Sequence, residues 1–111
     1  MSKLDTVNLK GKSGNSYAFE IYSIDQAFNS VGAVYAILKY ELRSGSTTAW
    51  YVHIYIGETG DLSTRFTNHH KQDCFDNHGA NRIGVHVDSS EKSRKSVEDD
   101  ILNGGKWPCN D

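Results

Sequence analysis

Polar and apolar residues alternate most regularly in four stretches of the chain. Tyr17, Phe19 and Ile21 alternate with Ala18, Glu20 and Tyr22, the period of a half-buried strand. Residues 4–10 and 16–24 therefore read as two short strands around the turn Gly11-Lys12-Ser13-Gly14-Asn15. Residues 31–41 and 49–57 are the strongest strands, with Ser44-Gly45-Ser46 as the turn between them. Pairing them symmetrically about Gly45 sets Tyr35 opposite Tyr55, and directly opposed residues share a face. That face carries Tyr35, Ile37, Lys39, Tyr51, His53 and Tyr55. The other carries Val34, Ala36, Leu38, Val52, Ile54 and Ile56, all apolar, and is expected to be core. A further strand, the third after residue 30, is expected at 81–88, with Ile83, Val85 and Val87 inward.

Helical spacing begins after the turn at Thr59-Gly60. Asp61 stands at an N-cap position, and Leu62, Arg65, Phe66 and His69 follow on one face, which predicts a helix over 61–71. Residues 72–80 read as irregular or as a short helix ending at Gly79. Ser89 or Ser90 caps a further helix that runs to Asn103, turns Val97, Ile101 and Leu102 inward, and stops at Gly104-Gly105. Trp107-Pro108-Cys109-Asn110 reads as a docked tail.

At 111 residues the chain is sized for one domain. No apolar run approaches a membrane span and no leader is visible, so a cytoplasmic location is expected. The two cysteines, Cys74 and Cys109, match no disulfide framework, and free thiols are expected. Net charge is −2, which predicts weak intrinsic affinity for nucleic acid, because phosphate neutralisation supplies much of that affinity. The charge is uneven. Residues 65–95 hold six basic and four acidic side chains, whereas 96–111 hold one and four, so a substrate surface belongs toward the middle of the chain.

The residues with chemical potential are few. Tyr55 ends a strand close in sequence to Arg65, and a phenol beside a guanidinium suits phosphate chemistry. Arg65 and His69 are four apart, on one side of the expected helix. Glu98 falls one residue past Val97, beside the buried stripe, a costly place for a carboxylate that is neither paired nor bound to a cation. Arg94, four residues earlier, could pair with it, and Glu98-Asp99-Asp100 could equally be a solvated face. His69, His70, Cys74 and His78, with Cys109 in reserve, offer a rival set of zinc-type ligands.

Tyr55-Ile56-Gly57 resembles the second signature of the GIY-YIG nuclease family. Gly32-Ala33-Val34-Tyr35 resembles the first, with Ala33-Val34 in place of a single isoleucine. The resemblance runs on to Arg65, Glu98 and Asn110 and covers roughly residues 31–111. It implies an α/β (α+β) domain with a small central three-stranded sheet flanked by helices, to which residues 1–30 add an N-terminal hairpin. It implies a metal-dependent endonuclease acting on nucleic acid, with DNA as the first expectation. In that scheme Tyr55 is general base or water-positioning group, Tyr35 hydrogen-bonds the scissile phosphate, and Arg65 binds it. Glu98 holds one Mg²⁺ or Mn²⁺, and Asn110 supports the site. His69 matches a histidine of some members, and His78 a second one. Glu58 departs from the pattern, since many members carry a basic or polar residue there; it must turn away or find a base. The alternative implied by Glu58 and the acidic net charge is a weakly active or inactive module that binds nucleic acid or a protein.

Overall fold

The pairing of strands decides where every candidate residue stands. The structure, a computed structural model, describes residues 3–42, 49–65 and 71–110. Its strands are β1 (Asp5–Lys10), β2 (Ser16–Ser23), β3 (Ala33–Leu42), β4 (Ala49–Thr59) and β5 (Arg82–Val87). Two helices, α1 (Gln72–Asn77) and α2 (Glu91–Asn103), and a 3-10 turn at Pro108–Asn110 complete the described elements. The strands form one antiparallel sheet in the order β1-β2-β5-β3-β4. The expected three central strands are thus adjacent, and the N-terminal hairpin extends the sheet by pairing β2 with β5. The sheet curls enough for the Tyr51 hydroxyl on one edge strand to donate to Asp5 on the other at 3.1 Å.

Both faces of this sheet are core. On one, Phe19, Ile21, Val34, Ala36, Leu38 and Ile56 pack against Val97 and Ile101 of α2 and against Trp107. On the other, Tyr35, Ile37, Ile54, Tyr55, Ile83 and Val85 pack with Leu62, Phe75 and Cys109. The expectation that the tyrosine face is the more polar one is therefore corrected. It is a second apolar core with the tyrosines set into it.

The register about Gly45 is also corrected. Tyr35 lies opposite Gly57, Ile37 opposite Tyr55, and then Leu38 opposite His53, so Ile54 is an unpaired extra residue. Such a bulge reverses the in-out alternation of a strand on one side of it. Ile54 consequently joins the tyrosine face, His53 stacks on Trp107 with ring centroids 4.4 Å apart, and Val52 is exposed. The two-residue offset at the Tyr35 end preserves parity, so Tyr35 and Tyr55 still share a face as diagonal neighbours. The turn residues Ser44-Gly45-Ser46 lie outside the described residues. Val87, expected inward, is exposed at the end of β5.

The helix expected over 61–71 is not seen in its described part, where residues 62–65 form turns. Local bonds compete with it: Asp61 accepts from the Ser63 backbone and hydroxyl, and the Leu62 N–H donates to Val31 at 2.9 Å. Residues 66–70, including Phe66, His69 and His70, lie outside the described residues. Helix α2 begins as expected, with the Ser90 hydroxyl accepting from the Ser93 N–H. Its far end is tied to the hairpin turn, where Asp100 accepts from the Ser13 N–H, the Ser13 hydroxyl and the Tyr17 hydroxyl. Asp100 is thus a clasp rather than part of a solvated face. Among the described residues no helix is long and apolar enough to cross a membrane.

Candidate functional site

Tyr35 sits on a strand flanked on both sides, by β5 and β4, and its side chain is fully buried. Gly57 makes room for it. A β-carbon there would come within 2.7 Å of the Tyr35 Cζ and hydroxyl and 2.8 Å of the Tyr55 ring. Gly57 is therefore the gap across which the two phenols approach, with ring centroids 6.0 Å apart. The Tyr55 ring also packs on Phe75 of α1, at 5.3 Å.

Arg65 leaves the turn after β4 and donates from Nε to the Tyr35 hydroxyl at 2.9 Å. Its Cζ stands 5.8 Å from the centre of the same ring. Burial pushes the Tyr35 hydroxyl well above the usual tyrosine range, and the neighbouring Tyr55 adds to this while Arg65 opposes it. Tyr35 is accordingly a neutral hydrogen-bonding group and not a base at physiological pH.

Glu98, half-buried on α2, has no hydrogen bond or ion pair among the described residues. Its carboxyl is pushed above the ordinary glutamate range by burial first, then by the negative charges of Glu58 and Asp99; Lys95 and Arg65 oppose the shift. Arg65 thus bonds Tyr35 beside Tyr55, and its charge also acts on Glu98.

Asn110 is committed locally. Its side chain accepts from the Ile56 N–H at 2.9 Å and donates to the Ile56 C=O at 2.8 Å, in the manner of an added strand partner on the edge of β4. It holds the backbone next to Tyr55. His69 lies outside the described residues. His78 caps α1 and places Nδ1 3.7 Å from Cys74 Sγ and 3.8 Å from Cys109 Sγ. The two cysteines are joined as a disulfide, which corrects the expectation of free thiols. Docking of the 3-10 turn against β4 brings together residues 35 positions apart, a contact that their sequence spacing does not announce.

Sequence reasoning weighed Arg94 only as a partner for Glu98 and missed its burial and its pairing with Glu58. This side chain is 5% exposed, donates from Nε to Glu58 at 2.9 Å and from Nη1 to the Asp88 C=O at 3.0 Å. It pairs with Glu58 instead of with Glu98. Gly32 makes room for it, since a β-carbon would come within 2.5 Å of Nη1. Its signal was the spacing Arg94, Val97, Ile101 along the buried stripe of α2. Comparison of the chain with family models, with curated proteins and with solved structures finds no match.

Proposed function

We propose that the chain is a metal-dependent nuclease of GIY-YIG type that hydrolyses a phosphodiester in nucleic acid, with DNA as the first substrate to try. The observation that carries this reading is the 2.9 Å bond from Arg65 to the Tyr35 hydroxyl, made beside Tyr55 and within the electrostatic reach of Glu98, which has no ion-pair partner among the described residues. With Nε engaged, the Nη groups of Arg65 are the donors for a phosphate, and a guanidinium forks readily onto two phosphate oxygens. Tyr35, held neutral, hydrogen-bonds the phosphate or steadies Tyr55. Tyr55, at the edge of the buried cluster, orients the attacking water and takes its proton.

Glu98 fits a hard divalent cation. For this half-buried carboxylate, burial and neighbouring negative charges outweigh the nearby positive charges of Lys95 and Arg65, and an oxygen ligand of this kind suits Mg²⁺ or Mn²⁺. Such an ion, once bound, would neutralise charge developing on the leaving oxygen. The ion pair between Glu58 and Arg94 supports this reading, since it offsets the charge that would repel a phosphate.

The complete burial of Tyr35 favours a second reading, a GIY-YIG-like module that binds nucleic acid or a protein with little turnover. Supercoiled plasmid incubated with Mg²⁺ or Mn²⁺ separates the two. Nicking by the wild type, and by neither Arg65→Ala nor Glu98→Ala, is the expected result. Equal traces from all three would sink the nuclease reading, and binding without nicking would select the module.

A further inference from the structure

We propose that the reduced chain binds a thiophilic divalent cation such as Zn²⁺ through Cys74, His78 and Cys109. This site uses neither Glu98 nor Arg65 and does not depend on the nuclease reading. Cys74 and His78 are one helical turn apart at the end of α1, and Cys109 reaches them from the 3-10 turn. The potential ligand atoms of the three residues all lie within 4.8 Å of one another. In a tetrahedral zinc site, bonds of about 2.3 Å to sulfur and about 2.0 Å to nitrogen put S and N roughly 3.6 Å apart. His78 Nδ1 already stands 3.7 Å from one sulfur and 3.8 Å from the other. The imidazole is therefore placed at the edge length of such a tetrahedron from both.

The chemistry closes without a hidden reagent. A dithiol reductant transfers two electrons and two protons to the disulfide, leaving two protein thiols and an oxidised dithiol. Each thiol then gives up its proton as its sulfur ligates the metal. His78 Nδ1 lies 2.9 Å from the Cys74 C=O, so it carries the proton in the oxidised state. Ligation takes the other tautomer, with the proton on Nε2 and the Nδ1 lone pair toward the sulfurs. Two thiolates and an imidazole select zinc-like ions over Mg²⁺. Cys109 is buried, Cys74 half-buried and His78 exposed, so the ion enters on the His78 side and keeps water as its fourth ligand. Disulfide and metal then alternate as the tie between α1 and the 3-10 turn.

The test uses the full chain, reduced anaerobically and titrated with Co²⁺ alone, then with Zn²⁺ as competitor. One equivalent of Co²⁺ should give thiolate-to-cobalt charge-transfer absorption, which a carboxylate site such as Glu98 cannot produce, and Zn²⁺ should abolish it. The oxidised chain should give none. His78→Ala keeps both thiols. Losing a group behind a ligand already costs about 10–100-fold in affinity, so this variant should bind at least about 100-fold more weakly. The proposal is overturned if the reduced wild type shows no such absorption, or if His78→Ala matches it. It is also overturned if the absorption comes from a chain that has lost its near-UV circular dichroism.

Discussion

Two arginines stand near two glycines, Arg94 at Gly32 and Arg65 by the phenol over Gly57, and the contrast between them is instructive. Arg94 fills the space above Gly32, and its charge is matched by Glu58 and by a backbone carbonyl. Arg65 reaches the phenol that lies over Gly57, so its bonded partner is neutral, and Glu98 pairs with no base among the described residues. A matched charge at full burial belongs to the architecture. A cation and an anion that do not pair with each other are, under the proposed reading, the groups left to meet a phosphate and a metal ion.

The largest effect expected is on stability, at Arg94. Arg94→Met strands Glu58 and should cost about 3–5 kcal/mol in urea unfolding, with most of that recovered when Glu58→Leu is added. If Arg65→Met costs as much, the contrast fails. For Arg65→Ala the expected loss is instead catalytic, about 10²–10³-fold in plasmid nicking, the scale for removing one donor to transition-state charge. Its melting temperature should stay close to the wild type.

Gly57→Ala comes next. The added methyl meets both tyrosines, and such overpacking typically costs about 1–3 kcal/mol. Nicking should fall with it, because the two phenols can no longer approach as they do.

The smallest effects are read against pH. The folded carboxyl of Glu98 titrates above its unfolded value, so its charge works against folding once the pH exceeds the folded pKa. Glu98→Gln should raise the melting temperature slightly at pH 7 and lose that gain on acidification through the ordinary glutamate range, while abolishing nicking throughout. Asp100 has the opposite sign. Its carboxyl is held below the ordinary range chiefly by the Ser13 and Tyr17 hydroxyls. Asp100→Asn should therefore lower the melting temperature at neutral pH, and the difference should vanish as acid protonates the wild-type carboxylate.

Much of this arrangement was legible in the residues. Alternation placed the strands, and parity put Tyr35 and Tyr55 on one face even though their register was off by two. What alternation could not show was the bulge at Ile54, because a single extra residue leaves no trace in composition. Nor could it show that the tyrosine face would be covered, since the cover comes from Leu62, Phe75 and Cys109, which are remote in sequence. The helix over 61–71 failed in its described part because Asp61, Ser63 and Leu62 spend their hydrogen-bonding groups locally or on Val31. Arg94 was visible on the α2 stripe, yet a charged residue there reads as solvated until its glycine-lined space is seen. Whether the convergence of Tyr35, Tyr55, Arg65 and Glu98 cuts nucleic acid is the question the plasmid assay answers.

The clasp at Asp100 bears on how this domain can be divided. It grips the turn between β1 and β2 two positions beyond Glu98, while β2 covers one side of β5. Cutting the chain after residue 30 would remove a neighbour from the sheet interior and untie the helix that carries the candidate metal ligand. A core excised as 31–111 would keep every signature residue and lose the frame that spaces them. In any recombination or shortening of this chain, the hairpin therefore has to travel with the site.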